Sequence, residues 1–341
     1  MRPTDHSNDA AAAPIGATAE YDVVGIGNAL VDVIAHAGDE FLGEHDLVKG
    51  SMTLVETDRA VELYRALGSA VEMSGGSAAN TMCGVASFGG RAAYVGKVSA
   101  DELGRVFGHD LLAVGVTFRP GAMSDNVPTG RCIIVVTPDA QRTMNTFLGA
   151  SSTMSVPDVD LETVAAGKVL YMEGYLYDRD DAKAAFWHAA QAAHRHGRLV
   201  SLTLSDSFCV DRHRDDFLSL VRDEVDLLFG NDDELRSLYQ TDSFDDAVAA
   251  VRRDCGLAAI TVGAKGSYVV TPDDVVHVEA YPVRRVIDTT GAGDLYSAGF
   301  LFGYTQGRDL KECGRLGSLA ASEVISHVGP RPLTELRTLI G

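Results

Sequence analysis

The stretch Asp288-Thr289-Thr290-Gly291-Ala292-Gly293-Asp294 decides both the expected fold and the expected chemistry of this chain. A β-rich segment, Val283 to Ile287, precedes it and predicts a strand, and Leu295 to Tyr304 follows it and predicts a helix. At such a junction, unpaired backbone N–H groups and the positive end of the helix dipole meet at one spot, which favours an anion. The glycines let the backbone approach that anion, and the final aspartate adds a proton acceptor beside it. The stretch therefore predicts a phosphoryl-transfer site.

Two other interpretations of the same stretch are open. A glycine-rich turn with an acidic residue in the first turn of a helix is also ordinary complementation of the helix dipole. A dinucleotide-binding fingerprint would need a third glycine where Tyr296 stands, and a parallel strand where Leu310 to Val328 predicts another helix. A nicotinamide cofactor is therefore disfavoured.

The bulk composition limits the classes of partner. The chain has 341 residues, of which 46% are hydrophobic and 23% charged, and this is normal for a protein with a sizeable core. Its net charge of −19 repels phosphate backbones and acidic membrane surfaces, so we expect no nucleic-acid partner. No apolar run approaches the ~18 to 20 residues that span a bilayer, so we expect no membrane partner.

Cysteine usage and the N-terminal composition indicate the compartment. The five cysteines are odd in number and widely spaced, and none forms a Cys-x-x-Cys pair. Reduced thiols in a cytoplasm explain them better than disulfides or zinc. Residues 1–20 are rich in Ala, Pro and polar side chains and lack the apolar segment of a secretory signal. We expect a cytoplasmic protein with a disordered tail at residues 1–20.

Most of the chain from residue 21 onward alternates short apolar segments with amphipathic helical patterns. This alternation is typical of a parallel sheet covered by helices on both faces, whose ligands bind at the carboxyl ends of the strands. Val33 to Val55 and Thr117 to Phe147 break the alternation, and Cys132 to Val136 predicts one arm of a hairpin. From the pattern alone, these two segments also fit an antiparallel edge of the main sheet.

Two motifs carry a resemblance to a known family. Asp288 to Phe300 resembles the C-terminal signature of the ribokinase-like, or PfkB-type, carbohydrate and nucleoside kinases, and Gly75-Gly76-Ser77-Ala78-Ala79-Asn80 is similar to an upstream motif of that family. The resemblance implies an α/β fold with a doubly wound, mostly parallel sheet flanked by helices and a small β-sheet lid. It places the core at residues 21–32, 56–116 and 148–341, and the lid over the acceptor site at residues 33–55 and 117–147.

The family motif assigns roles around the glycine-rich stretch. The resemblance implies that Asp294 takes the proton of the acceptor hydroxyl, while the backbone N–H groups of Gly291, Ala292 and Gly293 form an anion hole. It also implies that Asp288 and Thr290 help to order a monovalent cation such as K⁺. A simple turn at the end of a strand remains an equal interpretation of Asp288.

Asn231 and Glu234 resemble the family's Asn-x-x-Glu motif, which acts through water on Mg²⁺ and the phosphates of ATP. Because hard cations prefer oxygen ligands, an amide and a carboxylate at the end of a strand suit this role. The same spacing is also a helix N-cap arrangement, and we expect both roles together. The loop with Thr261, Gly263 and Gly266 matches the nucleotide side of the family, although a β-turn explains it equally well.

The remaining predicted residues face the two substrates. Asp32, with Asn28 nearby, is expected to grip the hydroxyls of the acceptor, although an Asp in a turn is a plain alternative. Further acceptor contacts are expected from Gly75, Gly76, Ser77 and Asn80, and Gly329 is expected to line the adenine pocket.

The expected acceptor rests on a resemblance to one branch of this family. Several segments resemble the adenosine-kinase-like branch, in which Tyr175 would border an apolar slot and Arg142 would reach a phosphate or lie on the lid surface. We therefore expect an ATP- and Mg²⁺-dependent kinase of the 5′-hydroxyl of a nucleoside, most simply adenosine, acting as a monomer or homodimer. The alternatives are a PfkB-type sugar kinase for ribose, fructose or a related acceptor, and a non-catalytic nucleotide- or metabolite-binding protein.

Overall fold

A computed structural model describes residues 19–120, 126–139 and 141–340, and its strands form two separate sheets. Most of the predicted tail, together with a short part of the second predicted lid segment, lies outside the described residues. In the described part of the chain, no helix is long and apolar enough to cross a bilayer.

The elements follow one another in the alternating order that the sequence predicts. The strands are β1 Tyr21–Ile26, β2 Leu30–His36, β3 Met52–Leu54, β4 Ala70–Gly75, β5 Ala92–Val95, β6 Thr117–Phe118, β7 Gly130–Val136, β8 Arg142–Phe147, β9 Gly167–Glu173, β10 Leu199–Thr203, β11 Leu227–Asn231, β12 Leu257–Thr261, β13 Ser267–Val270 and β14 Val275–Val278. The helices are α1 Asp39–Glu44, α2 Thr57–Ala66, α3 Ser77–Ser87, α4 Glu102–Ala113, α5 Leu161–Ala166, α6 Asp180–Arg195, α7 Ser207–Asp223, α8 Asp232–Tyr239, α9 Phe244–Asp254, α10 Ala292–Thr305 and α11 Leu310–Val324.

The larger sheet has the order β14-β13-β12-β11-β10-β9-β1-β5-β6 within the described residues. From β12 to β6 all neighbours pair in parallel, and β13 and β14 add an antiparallel edge. Because successive strand residues face opposite sides, Leu170 and Met172 enter the core beneath α6 and α7, whereas Val169 and Tyr171 enter the core beneath α3, α10 and α11. The predicted doubly wound α/β fold is confirmed.

The smaller sheet has the order β3-β8-β7-β2-β4. Strands β7 and β8 pair as the predicted hairpin, with Cys132 opposite Thr146, and the sheet is distinct from the edge of the larger one. Two details of the predicted boundaries are wrong. Residues 70–75, predicted for the core, pair with β2 in the small sheet, and residues 117–118, predicted for the lid, pair with β5 in the large sheet.

The predicted strand from Val283 to Ile287 is also wrong, because this segment forms no strand. The backbone N–H of Ile287 donates to the carbonyl of Ile325 at 2.8 Å, so the segment pairs with the chain that leaves α11 rather than with a sheet. Its apolar side chains are half exposed, and Val286 lines the cavity described below. The apolar pattern therefore reflects the wall of a cavity rather than a buried strand.

Candidate active site

A cavity of about 1500 Å³ opens at the carboxyl edge of the larger sheet and extends beneath the small sheet. The last residues of four neighbouring strands line it, namely Glu173, Thr203, Asn231 and Thr261. This is the place where ligands bind in doubly wound sheets. It brings together most of the predicted residues, namely Asn28, Asp32, Gly76, Ser77, Asn80, Tyr175, Asn231, Glu234, Thr261, Gly263, Gly266, Thr290, Gly291, Ala292, Gly293 and Asp294.

Asp294 lies in the first turn of α10 and is held by two donors from α3. Ser77 Oγ donates to Asp294 Oδ1 at 2.6 Å, and Asn80 Nδ2 donates to Asp294 Oδ2 at 3.0 Å. Burial raises the pKa of this carboxyl above its ordinary value, although both hydrogen bonds lower it. An oriented carboxylate whose pKa is shifted towards neutrality is suited to accept a proton from an alcohol.

The N-terminus of α10 offers backbone donors beside that carboxylate. Gly291 is the N-cap residue with φ of 78°, a left-handed conformation that favours glycine, and no side chain caps the helix. The N–H of Ala292 donates to Thr289 O at 3.2 Å, so one of the three predicted donors already has an internal partner. A Cβ placed at Gly293 would meet nothing within 4 Å, which shows open space in front of the helix end.

The side chains that are expected to order a monovalent cation, Asp288 and Thr290, both contact an arginine. Arg142, from β8 of the small sheet, pairs with Asp288 at 2.6 Å and donates through Nη1 to Thr290 Oγ1 at 2.8 Å. Thr290 Oγ1 in turn donates to Asp288 Oδ1 at 2.8 Å. Neither Arg142 nor Asp288 lines the cavity, and the Arg142 side chain is only 13% exposed. Arg142 therefore lies inside the protein and not on the lid surface as one interpretation expected, whereas the K⁺ site stays a prediction.

The side of the cavity formed by the small sheet holds a second carboxylate, Asp32 on β2. Its side chain is buried, and no hydrogen bond from the described residues reaches it. Burial raises the pKa of Asp32 to about 6, against the positive charges of Arg331 and Arg142, which lower it. A buried carboxylate with free acceptor sites at a cavity wall is suited to two hydroxyl donors.

Two glycines lie where other chain atoms come very close to their backbone: the Asp32 carboxyl group approaches Gly75, and the Asn28 carbonyl approaches Gly76. Gly75 itself does not line the cavity, but a Cβ there would lie 2.6 Å from the Asp32 carboxyl group. Gly76 has φ of 95°, and its Cβ would lie 2.2 Å from the carbonyl oxygen of Asn28. Each position therefore requires glycine for a different reason.

Glu173, at the end of β9, is a site residue that the sequence analysis missed. It accepts from Asn28 Nδ2 at 2.9 Å and from the N–H of Ala78 at 2.8 Å, and burial raises its pKa to about 7. Ser151 Oγ completes the arrangement by donating to Asn28 Oδ1 at 3.0 Å. Glu173 thus fixes the predicted Asn28, and only its place at the end of a buried strand could have indicated it.

Asn231 and Glu234 form the predicted N-cap of α8. Asn231 Oδ1 accepts from the N–H of Glu234 at 2.9 Å, and Glu234 Oε2 accepts from the N–H of Asn231 at 3.0 Å. Burial raises the pKa of Glu234 to about 7, with further raising by the nearby carboxylates Asp206, Asp233 and Asp232. Such a cluster of oxygen donors on the cavity wall fits Mg²⁺ held through water. In the described part of the chain, no group of three or more His, Cys, Asp or Glu is arranged to hold a metal directly.

The remaining predicted residues divide between the cavity and its surroundings. Thr261, Gly263 and Gly266 line the end of the cavity beside β12 and β13, where Gly266 approaches the carbonyl of Val278. Tyr175 also lines it, with its hydroxyl donating to Ser205 O at 3.2 Å. Gly329 is not among the residues that line it, and its N–H donates to Asp288 Oδ2 at 2.9 Å. Its expected place in an adenine pocket stays a prediction.

Comparisons with known proteins agree on one family. The profile of the pfkB family of carbohydrate kinases matches residues 48–336. A solved adenosine kinase from Sinorhizobium meliloti is 53% identical, with a TM-score of 0.87 over 94% of this chain and 98% of that one. A probable sugar kinase from Rhizobium etli CFN 42 is 48% identical, with the same TM-score and the same coverage. Adenosine kinase 2 of Arabidopsis thaliana is 26% identical over 92% of this chain and 97% of its own length.

Proposed function

Since the chain belongs to the pfkB family of carbohydrate kinases and is a phosphotransferase with an alcohol acceptor, we propose that it phosphorylates the 5′-hydroxyl of a nucleoside, with adenosine as the preferred acceptor. The γ-phosphoryl group of ATP is transferred and AMP and ADP are the products. The observation that carries the proposal is the joint placement of the Asp294 carboxylate, the uncapped start of α10 and the Asp32 carboxylate in one cavity.

In the proposed reaction, Asp32 accepts hydrogen bonds from two hydroxyls of the ribose and so turns the 5′-hydroxyl towards Asp294. Asp294 accepts the proton while the acceptor oxygen forms its bond to the γ-phosphorus and the bond to the β-phosphate oxygen breaks. The backbone donors at the start of α10 stabilise the charge on the transferring group. Bound Mg²⁺, held through water by Asn231 and Glu234, would neutralise the phosphates.

The shape of the acceptor end favours a nucleoside over a bare sugar. Side chains of the small sheet place apolar surface beside Asp32, including Leu30, Cys132, Ile134 and Met144. A purine base would cover this surface, whereas a free pentose would leave it exposed to water. We propose that the small sheet, including the predicted segments 33–55 and 117–147, acts as a lid over the acceptor. The 53% identity to a solved adenosine kinase supports the same choice.

The location in a cytoplasm is part of the proposal. All five cysteines are buried and outside any disulfide. Reduced thiols of this kind suit a reducing compartment, in which ATP is also available.

The test is an ADP-release assay with ATP and Mg²⁺ against a panel of nucleosides and free sugars. Adenosine should give the highest kcat/KM, and ribose or fructose should give values lower by a factor of about 100 or more, since the base contributes apolar burial. A sugar that outperforms every nucleoside would favour the sugar-kinase alternative. ATP binding without turnover on any acceptor would favour a non-catalytic binding protein.

A variant of the proposed base makes the assay specific for this site. Asp294→Asn keeps the size and polarity of the side chain but removes the proton acceptor, so kcat should fall by a factor of about 100 to 10,000 while the KM for ATP stays nearly constant. Asp160→Asn, which preserves the N-cap of α5 outside the cavity, is the matched control and should keep wild-type turnover. Unchanged turnover in Asp294→Asn would contradict the assignment.

A further inference from the structure

The segment after α11 contacts the loop before α10 and the N-cap residue of that helix. Gly329 N–H donates to Asp288 Oδ2 at 2.9 Å, and the carbonyl oxygen of Pro330 lies 2.7 Å from the place of a Cβ at Gly291. These two contacts fix the position from which the next residue, Arg331, enters the interior. No motif in the sequence analysis included this arginine.

Arg331 contacts the residue that holds the proposed base. Its Nε donates to Asn80 Oδ1 at 3.2 Å, and its Nη1 donates to Ser74 Oγ at 2.7 Å. The guanidinium does not line the cavity, so it contacts neither substrate directly. Its Nη2 is buried and has no hydrogen-bond partner among the described residues. Removing this charged guanidinium from water costs free energy, so we expect Arg331 to do more than add charge to the protein.

The chemistry of an arginine determines the orientation of the Asn80 amide. A guanidinium only donates hydrogen bonds, so the group of Asn80 that faces it must be the carbonyl oxygen. The amide nitrogen of Asn80 is thereby turned to Asp294 Oδ2, to which it donates at 3.0 Å. If the amide were reversed, its oxygen would face the carboxylate and its nitrogen would face the guanidinium, and both contacts would be repulsive.

We propose that Arg331 is a positioning residue that locks the Asn80 amide as a donor to Asp294, and so fixes the carboxylate that accepts the proton. The proposal rests on the phosphotransfer function proposed above. The acidic groups that face Asp294 from the neighbouring elements are Asp32, Glu173, Tyr171 and Tyr175. Burial raises the pKa of both tyrosines, so they stay neutral and add no charge. Without a fixed donor on Oδ2, burial and the nearby carboxyl groups of Asp32 and Glu173 would favour the protonated, inactive form of Asp294.

The test combines a double-mutant cycle with a titration. Arg331→Met, Asn80→Ala and the double variant are compared with wild type by the pH profile of kcat/KM and by carboxyl ¹³C NMR of the substrate-free protein, with Asp294→Asn used to assign the signal. Arg331→Met should lower kcat about tenfold and raise the titration midpoint of Asp294 by about one pH unit, the equivalent of one charge-assisted hydrogen bond. In the Asn80→Ala background, Arg331→Met should add less than a twofold change in kcat and leave the midpoint unmoved.

Two further variants separate positioning from loss of structure. Arg331→Lys retains a charged group with three N–H donors and should recover most of the turnover and of the midpoint, because Asn80 and Ser74 each receive a single hydrogen bond. Arg337→Met removes an exposed arginine from the same segment and should leave both readouts at wild-type values. If Arg331→Met fails to fold, Arg331→Gln replaces it, because a reversible amide cannot enforce the orientation of Asn80.

Specific results would overturn the proposal. An unmoved Asp294 midpoint in Arg331→Met, or an equal effect of Arg331→Met with and without Asn80, would show that Arg331 does not act through this amide. Because the titration needs no substrate, it remains decisive even if the wild-type protein transfers phosphate to no nucleoside. That last result would count against the proposed function alone.

Discussion

At the scale of single residues, the cavity is crowded with carboxyl groups whose surroundings differ. Asp294 receives two side-chain hydrogen bonds, Glu173 receives one from a side chain and one from the backbone, and Asp32 receives none from the described residues. A carboxylate that is already hydrogen bonded is held in place, whereas one with free oxygens can bind a ligand. This difference supports the proposed roles of Asp294 as proton acceptor and of Asp32 in substrate binding.

The first residue-scale prediction concerns Asp32. Asp32→Ala removes a charge-assisted acceptor for the ribose hydroxyls, so the KM for the acceptor should rise by a factor of about 10 to 100 while the KM for ATP changes little. Steady-state kinetics with each substrate varied in turn measures both constants. Asp58→Ala on the exposed face of α2 serves as the control. An equal rise in both KM values would place Asp32 outside the acceptor site.

The second residue-scale prediction concerns the pH dependence of stability. Burial raises the pKa of Glu173 from 4.5 to about 7 in the folded protein. The folded state therefore binds this proton more tightly than the unfolded chain, and its stabilising effect is complete below pH 4.5 and is lost as the pH rises towards 7. At about 1.4 kcal/mol for each pH unit, the total loss is at most about 3.5 kcal/mol.

Glu173→Gln carries no titrating proton and tests this directly. Its free energy of unfolding relative to wild type should increase by up to about 3 kcal/mol between pH 5 and pH 8, as measured by urea denaturation. Asp32 and Glu234, whose pKa values are also raised, are present in both proteins and cancel in the difference. A difference that stays constant with pH would show that Glu173 is ionised throughout.

At the scale of elements, the sequence predicts helices better than it predicts the segment before the glycine-rich motif. The periodic pattern of α10 indicates its body, and the glycines mark its start, because local chemistry controls both. Val283 to Ile287 resembles a strand locally, yet its backbone pairs with the end of α11, which is a distant contact. Periodicity cannot distinguish an apolar cavity wall from a buried strand.

Helix α10 carries the proposed base and is held by unusually close packing on α11. A Cβ at Gly299 would lie 2.3 Å from the carbonyl oxygen of Leu316, and one at Gly317 would lie 2.7 Å from the carbonyl oxygen of Tyr296. Backbone atoms cannot move aside as side chains can. The two glycines therefore set the distance between these helices and with it the place of the N-terminus of α10, the proposed anion site.

The element-scale prediction follows from this packing. Gly299→Ala should lower the free energy of unfolding by about 3 kcal/mol, because α10 must move away from α11, even though alanine favours helix formation. Urea denaturation gives the change. Gly43→Ala in α1 is the matched control, since a Cβ there meets nothing within 4 Å, and it should be neutral or slightly stabilising. Equal behaviour of the two variants would show that α10 and α11 separate freely.

At the scale of the whole molecule, two sheets share one cavity, and long-range contacts join them. Asp32 and Asp294 could be predicted because each follows a recognisable motif or strand. Arg142 and Asp288, in contrast, are 146 residues apart by number, and nothing local to either indicates the other. Two short strands also lie in the sheet opposite to the predicted one, namely Thr117–Phe118 in the large sheet and Ala70–Gly75 in the small sheet. The pairing of such short strands is decided by tertiary packing and not by their local sequence.

The pair of Arg142 and Asp288 links the small sheet to the loop that leads into the N-terminus of α10. Both side chains are largely buried, with exposed fractions of 13% and 9%. Breaking such a pair from one side leaves a buried charge without its partner, and this costs about 3 to 5 kcal/mol. Removing both charges together avoids that penalty.

The whole-molecule prediction is therefore a double-mutant cycle. Arg142→Met alone should be strongly destabilising and should raise the KM for the acceptor, because the small sheet loses its link to the catalytic loop. Adding Asp288→Asn should restore much of the denaturation midpoint, since no isolated buried charge remains. Lys49→Met, which breaks exposed ion pairs to Asp39 and Asp139 in the connections next to the small sheet, is the control and should change the midpoint little. A double variant less stable than Arg142→Met alone would mean that Arg142 and Asp288 contribute separately and that the two sheets are held together by other contacts.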